Sequence, residues 1–203
     1  MSELLHLAEH RVQEAALLFM AAAYTIRLMA GDITSLDIEA FVHDARADLV
    51  LGAGYGGAIA VRGGPKVQEE LRQLGPVRVG DAVVSSAGKM KARYIIHAVG
   101  PHFQEEDEER KLLEATRSAL RRADERGIAQ LAFPALGAGF YGMPAERSAR
   151  VMLGAAREHL SGPTTLKQVV FCLLDSRQLR SFETVLDEFG SLGAARRESE
   201  EGR

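Results

Sequence analysis

The 203-residue chain has one cysteine, Cys172, and no tryptophan. A lone thiol can form neither an internal disulfide nor a Cys-rich zinc site, so the fold is expected to stand without crosslink or structural metal. Aromatic residues make up only 6% of the chain, too few to suggest a stacking platform for single-stranded nucleic acid. No apolar run approaches the roughly 20 residues that a membrane-spanning helix needs. Charge of one sign is also missing. Lys and Arg number 25 against 28 Asp and Glu, a net charge of −3, which supplies no general attraction to a polyphosphate backbone. The N-terminal residues show no basic segment followed by an apolar run and a cleavage site. The expectations are therefore a cytoplasmic, reducing compartment, no membrane and no nucleic-acid partner. Nothing has a metal-ligand spacing such as H-E-x-x-H, and no metal or cofactor is expected. What is present is ordinary globular composition, 46% hydrophobic and 26% charged, at a length suited to one domain with a sizeable core.

Apolar residues recur every three or four positions from Leu4 to Phe19, which predicts an N-terminal helix whose apolar face is free to mediate a homodimer. Tyr24 to Met29 reads as a strand, Gly31-Asp32 as a turn and Ile38 to Val42 as a second strand. Ala58 to Leu74 is helical in pattern, broken at Gly63-Gly64-Pro65. Val79 to Ser85 and Tyr94 to Val99 follow as strands, then a helix over Lys111 to Arg126 with Gly127 at its C-cap. The remaining pattern is strand (Ile128 to Pro134), helix (Ala145 to Leu160), strand (Val169 to Leu174) and helix (Ser176 to Phe189). The expected organisation is a helical extension over 1–20, one domain over 21–190 and a polar, disordered tail over 191–203. Alternation of strands with helices of 12 to 16 residues indicates an α/β layered domain with a largely parallel sheet. Ligands of such sheets bind beyond the carboxyl ends of the strands.

Two glycine-rich segments lie at that edge. Gly52-Ala53-Gly54-Tyr55-Gly56-Gly57 runs from a strand into a helix, so its N–H groups and the helix N-terminus suit an anion. Its G-x-G-x-x-G spelling is a weak dinucleotide fingerprint, because the strand that follows carries its only acid, Asp81, near its beginning rather than at its end. The second segment, Gly137-Ala138-Gly139-Phe140-Tyr141-Gly142, again joins strand to helix. Two such loops at one edge suggest a diphosphate held between them, with Phe140 or Tyr141 either covering a sugar or packing in the loop.

The order Gly31-Asp32-Ile33-Thr34, glycine loop, Tyr94-Ile95-Ile96-His97-Ala98-Val99-Gly100-Pro101, and Ala132-Phe133-Pro134-Ala135 with Gly139-Phe140-Tyr141-Gly142 resembles a macro domain of the archaeal type over about Tyr24 to Phe189. The resemblance implies a three-layer α/β/α fold with a mixed, largely parallel central sheet. It also implies binding of ADP-ribose, free or on an ADP-ribosylated protein; some members hydrolyse ADP-ribosyl linkages or ADP-ribose 1''-phosphate. By resemblance, Asp32 accepts the adenine amino group and the backbone of Ile33 contacts the base. Gly52, Ala53, Gly54 and Tyr55 form the first phosphate loop, and Gly137, Ala138, Gly139, Phe140 and Tyr141 the second. Leu174 stands where relatives often place an aromatic against adenine.

The chain departs from the family pattern at the positions that carry hydrolysis. Val42-His43-Asp44-Ala45-Arg46 stands where the family reads Val-Asn-Ala-Ala-Asn, Gly56 where many hydrolytic members carry an aspartate, and Gly137 where a serine is common. Arg46 and His43 are the candidate catalytic residues of a rebuilt site, the one as a donor fork and the other as an acid or base. The alternative places Arg46 at the surface and His43 in packing. His43 and Asp44, adjacent on a strand, are expected to face opposite sides of the sheet. His97 and Cys172 read as core residues. Three functions fit: an ADP-ribose binder with little hydrolysis, a hydrolase with a rebuilt site, and a degenerate scaffold used for protein contacts.

Overall fold

Val169, Val170, Phe171, Cys172 and Leu173 form an apolar run without alternation and are each at most 4% exposed. Such a strand needs cover on both faces. The computed structural model, which describes residues 19–21, 24–101, 105–138 and 142–201, supplies it with helices on both sides of one sheet. In chain order the elements are β1 (Phe19–Ala21), β2 (Tyr24–Ala30), a short 3-10 turn (Ile33–Ser35), β3 (Ala40–Asp44), α1 (Tyr55–Gly63), α2 (Pro65–Leu74), β4 (Ala82–Ser86), β5 (Tyr94–Ala98), α3 (Glu108–Glu125), β6 (Gln130–Phe133), α4 (Ala145–Leu160), β7 (Gln168–Leu173) and α5 (Ser176–Glu201).

The sheet order is β1-β2-β7-β6-β3-β5-β4. β2, β7, β6, β3 and β5 run parallel, while β1 and β4 close the two edges antiparallel. This is the mixed, largely parallel α/β/α arrangement that the resemblance implied. Alternation divides the core in two. Val42, Ile96, Phe133 and Phe171 join Leu112, Met152 and Phe182 of α3, α4 and α5 on one face. Phe41, Ile95, Val170 and Cys172 join Ile59, Val67 and Leu71 of α1 and α2 on the other.

Three boundaries differ from the sequence reading. The sheet begins at Phe19, inside the expected extension, because Phe19 to Ala21 pair with Tyr24 to Ile26. The rest of the expected helix lies outside the described residues. The strand expected from Val79 starts only at Ala82; Arg78 to Asp81 make a turn with Gly80 at φ +88°. The last helix, expected to end at Phe189, continues to Glu201. Ala, Arg and Glu beyond Gly190 are strong helix formers, and local propensity there outweighs the lack of apolar residues.

Candidate functional site

The parallel strands all end at one edge, and the loop after β3 carries the first glycine segment. Asp48 Oδ1 accepts from Val50 N at 3.1 Å, and Leu49 takes a left-handed conformation, φ +56°. Gln68 of α2 clamps this turn. Its Oε1 accepts from Leu51 N at 2.8 Å and its Nε2 donates to Leu49 O at 3.2 Å. Sequence reading missed Gln68, since nothing marks a glutamine on a helix as a loop clamp. Gly54 then adopts φ +65°, ψ −131° at the N-cap of α1, a conformation essentially reserved for glycine. The first N–H groups of α1 lack intrahelical acceptors, and a helix N-terminus favours an anion.

Asp32, just beyond β2, is the N-cap of the 3-10 turn. Its Oδ1 accepts from Thr34 N at 3.0 Å and Thr34 Oγ1 at 2.7 Å, and its Oδ2 accepts from Arg62 Nη1 of α1 at 2.6 Å. Arg62 also donates to Thr34 Oγ1. Burial raises the carboxyl pKa, but the bonds from Thr34 and Arg62 outweigh it and hold the group below the ordinary value. Asp32 is thus an anchored carboxylate with acceptor capacity left only on Oδ2. Arg62 is a second residue that sequence reading missed. Ile33 beside it is buried at 1% exposure, and its carbonyl accepts from Leu36 N at 3.4 Å.

Tyr55 opens α1 and packs, partly buried, against the core cluster that holds Cys172. Its Oη is the one sealed side-chain polar atom without a hydrogen-bond partner among the described residues. Burial, with Cys172 and Asp32 nearby, pushes its phenol up to about 12. Burial likewise pushes the Cys172 thiol up to about 11, so it stays protonated and structural. Leu174 follows β7 and is 63% exposed, its N–H donating to Gln178 Oε1 at 3.1 Å.

The second glycine segment follows β6. Gly137 sits at φ +71° and donates its N–H to Asp44 Oδ2 at 3.0 Å, while its carbonyl accepts from Met143 N at 3.1 Å. The Gly137 N–H is therefore spent on Asp44 rather than offered to a phosphate. Ala138 N donates to Ala135 O at 3.3 Å. Gly139, Phe140 and Tyr141 lie outside the described residues. Burial pushes the Asp44 carboxyl up to about 6 against the lowering effect of the Gly137 bond.

His43 faces the other side of the sheet from Asp44, as strand alternation requires. It stands opposite His97 in the β3/β5 register, with Nδ1 to Nδ1 at 3.1 Å, and His97 Nε2 lies 2.8 Å from Ser85 Oγ. His43 is 8% exposed and His97 fully buried. Burial pushes His43 down to about 4 and holds His97 well below its usual value, so both rings are neutral near pH 7. Arg46 lies elsewhere. Its side chain is 62% exposed and bound to Asp48 through Nε at 3.2 Å and Nη2 at 2.7 Å. The structure thus brings Asp32, Tyr55 and the first loop to one edge, places His43 beneath that loop, and leaves Arg46 on the surface. No group of three His, Cys, Asp or Glu side chains suited to a metal ion occurs among the described residues.

Residues 42–152, which span both glycine segments, match the family model of the macro domain. The chain belongs to the macro domain family. An uncharacterized protein of Pyrobaculum aerophilum is 39% identical over 81% of this chain and 92% of its own length. A macro domain-containing protein of Caldanaerobacter subterraneus is 36% identical over 80% of this chain and 96% of its own. Among solved structures, an Oceanobacillus iheyensis macrodomain variant with ADPR superposes at a TM-score of 0.83, with 23% identity, over 87% of this chain and all of that one. The Trypanosoma brucei macrodomain in complex with ADP-ribose superposes at 0.75, with 26% identity, over 79% of this chain and 68% of that one. No helix of this macro domain, among the described residues, is long and apolar enough to cross a membrane.

Proposed function

We propose that this macro domain binds ADP-ribose, or a closely related adenine nucleotide diphosphate, free or on a modified protein, with little or no hydrolysis. The observation that carries the reading is the convergence on one sheet edge of an anchored carboxylate, Asp32, and a glycine-capped helix N-terminus at Gly54. A carboxylate accepts from an exocyclic amino group, and the helix end takes the diphosphate. The relatives solved with ADPR and with ADP-ribose support the ligand class.

Little hydrolysis is argued from the departures in sequence. His43, Arg46, Gly56 and Gly137 stand where hydrolytic members carry asparagine, asparagine, aspartate and serine, and Arg46 pairs with Asp48. A scaffold with an occluded cleft would need Arg46 or Tyr55 to fill it. Arg46 is on the surface and Tyr55 packs into the core.

Titration with ADP beside inosine diphosphate tests the base-reading step, because inosine presents an acceptor where adenine presents an amino group. The expected result is clear preference for ADP, lost in Asp32→Ala. Equal affinity for the two nucleotides in the unaltered protein would overturn the assignment.

A further inference from the structure

A cleft of about 480 Å³ opens on the far side of the sheet from Asp32, between the turn that enters β4 and one face of α3. Glu114, Arg117 and Arg121, three and four positions apart, share that helix face. Gly80 is what brings the turn onto the helix. It takes φ +88°, and an added Cβ would stand 2.8 Å from Glu114 Oε2 and 3.1 Å from Glu114 Cβ. Its N–H donates to Val99 O at 2.8 Å, and Asp81 N donates to Arg78 O at 3.1 Å. The backbone of the cleft is therefore set before any partner arrives.

The carboxylates on its walls are already engaged. Asp81 Oδ1 accepts from Ser118 Oγ at 2.7 Å and Ala82 N at 2.8 Å, with Arg122 Nη2 at 3.6 Å. Glu114 Oε1 accepts from Arg110 Nη1 at 2.7 Å, and Arg117 meets Glu158 through Nη2. Arg78 on one wall and Arg121 on the other, both exposed, make no hydrogen bond or ion pair among the described residues. In a chain with a net charge of −3, this is a local excess of positive charge. Val79 is the only apolar side chain among the lining residues, and no aromatic ring is among them. The cleft thus lacks the apolar surface that holds a base or a lipid chain. Guanidinium groups take carboxylates as forked pairs, and an open polar cleft suits an extended acidic segment of polypeptide.

Position connects the cleft to the nucleotide site. Asp32 follows β2 and the first loop follows β3, and the order continues β3-β5-β4. β4 begins beside the end of β5, with Ala82 opposite Ala98. The turn therefore stands at the same edge, two strands past β3 or about 10 Å. Just before it, Val77 N donates to Ala47 O of the segment after β3 at 2.8 Å. A nucleotide laid from Asp32 toward Gly54 points on toward this turn, and a polypeptide attached to it beyond the phosphates is led there. We propose that the cleft docks an acidic segment of the protein that carries the nucleotide, with Arg78 and Arg121 taking its carboxylates. The inference rests on the binding reading above and names the chemistry of the modified partner.

Two serine-linked ADP-ribosyl peptides test it, identical except that aspartates flank the modified serine in one and asparagines in the other. Both are titrated calorimetrically into the full chain at low ionic strength, beside free ADP-ribose. The unaltered protein should bind the aspartate peptide roughly fivefold more tightly, the scale of two exposed arginine–carboxylate pairs, and added salt should erase the difference. The double variant Arg78→Ala, Arg121→Ala should lose the preference and keep its affinity for free ADP-ribose. Equal affinity for the two peptides in the unaltered protein, or a preference that survives in the double variant, overturns the inference and leaves the binding reading standing. Loss of free ADP-ribose affinity in the double variant would overturn it too, by assigning the arginines to the nucleotide site. Failure of the unaltered protein to bind ADP-ribose or either peptide overturns the binding reading and this inference with it.

Discussion

Asp32 carries three hydrogen bonds from its own domain, so its carboxylate is oriented before any ligand arrives. Replacing it with alanine should weaken ADP-ribose binding by about 1.5 to 3 kcal/mol, the scale of a hydrogen bond to a charged group. Unchanged affinity in a titration of Asp32→Ala would remove the residue from the site. The same substitution also deletes a cap and frees Arg62, so a stability loss of about 0.5 to 2 kcal/mol should accompany it. Tyr55 is the opposite case. Its buried hydroxyl has no partner among the described residues, and an unsatisfied buried group costs roughly 1 to 3 kcal/mol. Tyr55→Phe should therefore leave stability unchanged or raise it by up to about 1 kcal/mol in urea denaturation. A marked loss would show that the hydroxyl is satisfied in solution.

At the scale of elements, the first loop depends on α2 as much as on its own glycines. Gln68 holds both Leu49 O and Leu51 N and fixes a turn that contains a left-handed leucine. Gln68→Ala should weaken ADP-ribose binding by roughly tenfold through loss of this order while leaving the domain folded; an unchanged affinity would show that the loop holds itself. The elements were largely legible in the sequence because period-2 and period-3.6 patterns are dictated by which faces must be buried. Ala145 to Leu160 declares itself by that helical period, and Val169 to Leu174 by an unbroken apolar run, the mark of a strand covered on both faces. The glycine loop was legible because Gly54 occupies a backbone region that other residues avoid. Gln68, Arg62 and the His43–His97 pair were not legible. Each joins residues from 17 to 54 positions apart, and no local pattern encodes a partner at that distance. The Arg46–Asp48 pair is local, two residues apart, yet a motif position cannot show that a surface ion pair engages it.

For the whole molecule, neighbours on β3 serve opposite faces and have opposite pH dependence. The Asp44 carboxyl is raised to about 6, so the folded state holds a proton that the unfolded chain has released. This stabilisation is complete below the unfolded value near 3.8 and is lost as pH rises through about 6. His43 is lowered to about 4, so its contribution is present above the unfolded value near 6.5 and is lost as pH falls through about 4. The two offset each other across this window. Asp44→Asn keeps an acceptor for Gly137 N–H and removes the charge. It should gain about 1 to 2 kcal/mol at pH 8 and nothing near pH 4. An equal change at both pH values, measured by urea denaturation, would contradict the assignment of a buried charge to Asp44.

The central claim is that the sheet edge between Asp32 and the first glycine loop is a site for ADP-ribose. Isothermal titration with ADP-ribose, run beside AMP on the same preparation, tests it most directly, because AMP lacks the diphosphate that the Gly54 loop is proposed to hold. The account predicts micromolar affinity for ADP-ribose, about −8 kcal/mol, and clearly weaker binding of AMP. Absence of heat and of thermal stabilisation at millimolar ADP-ribose would contradict it.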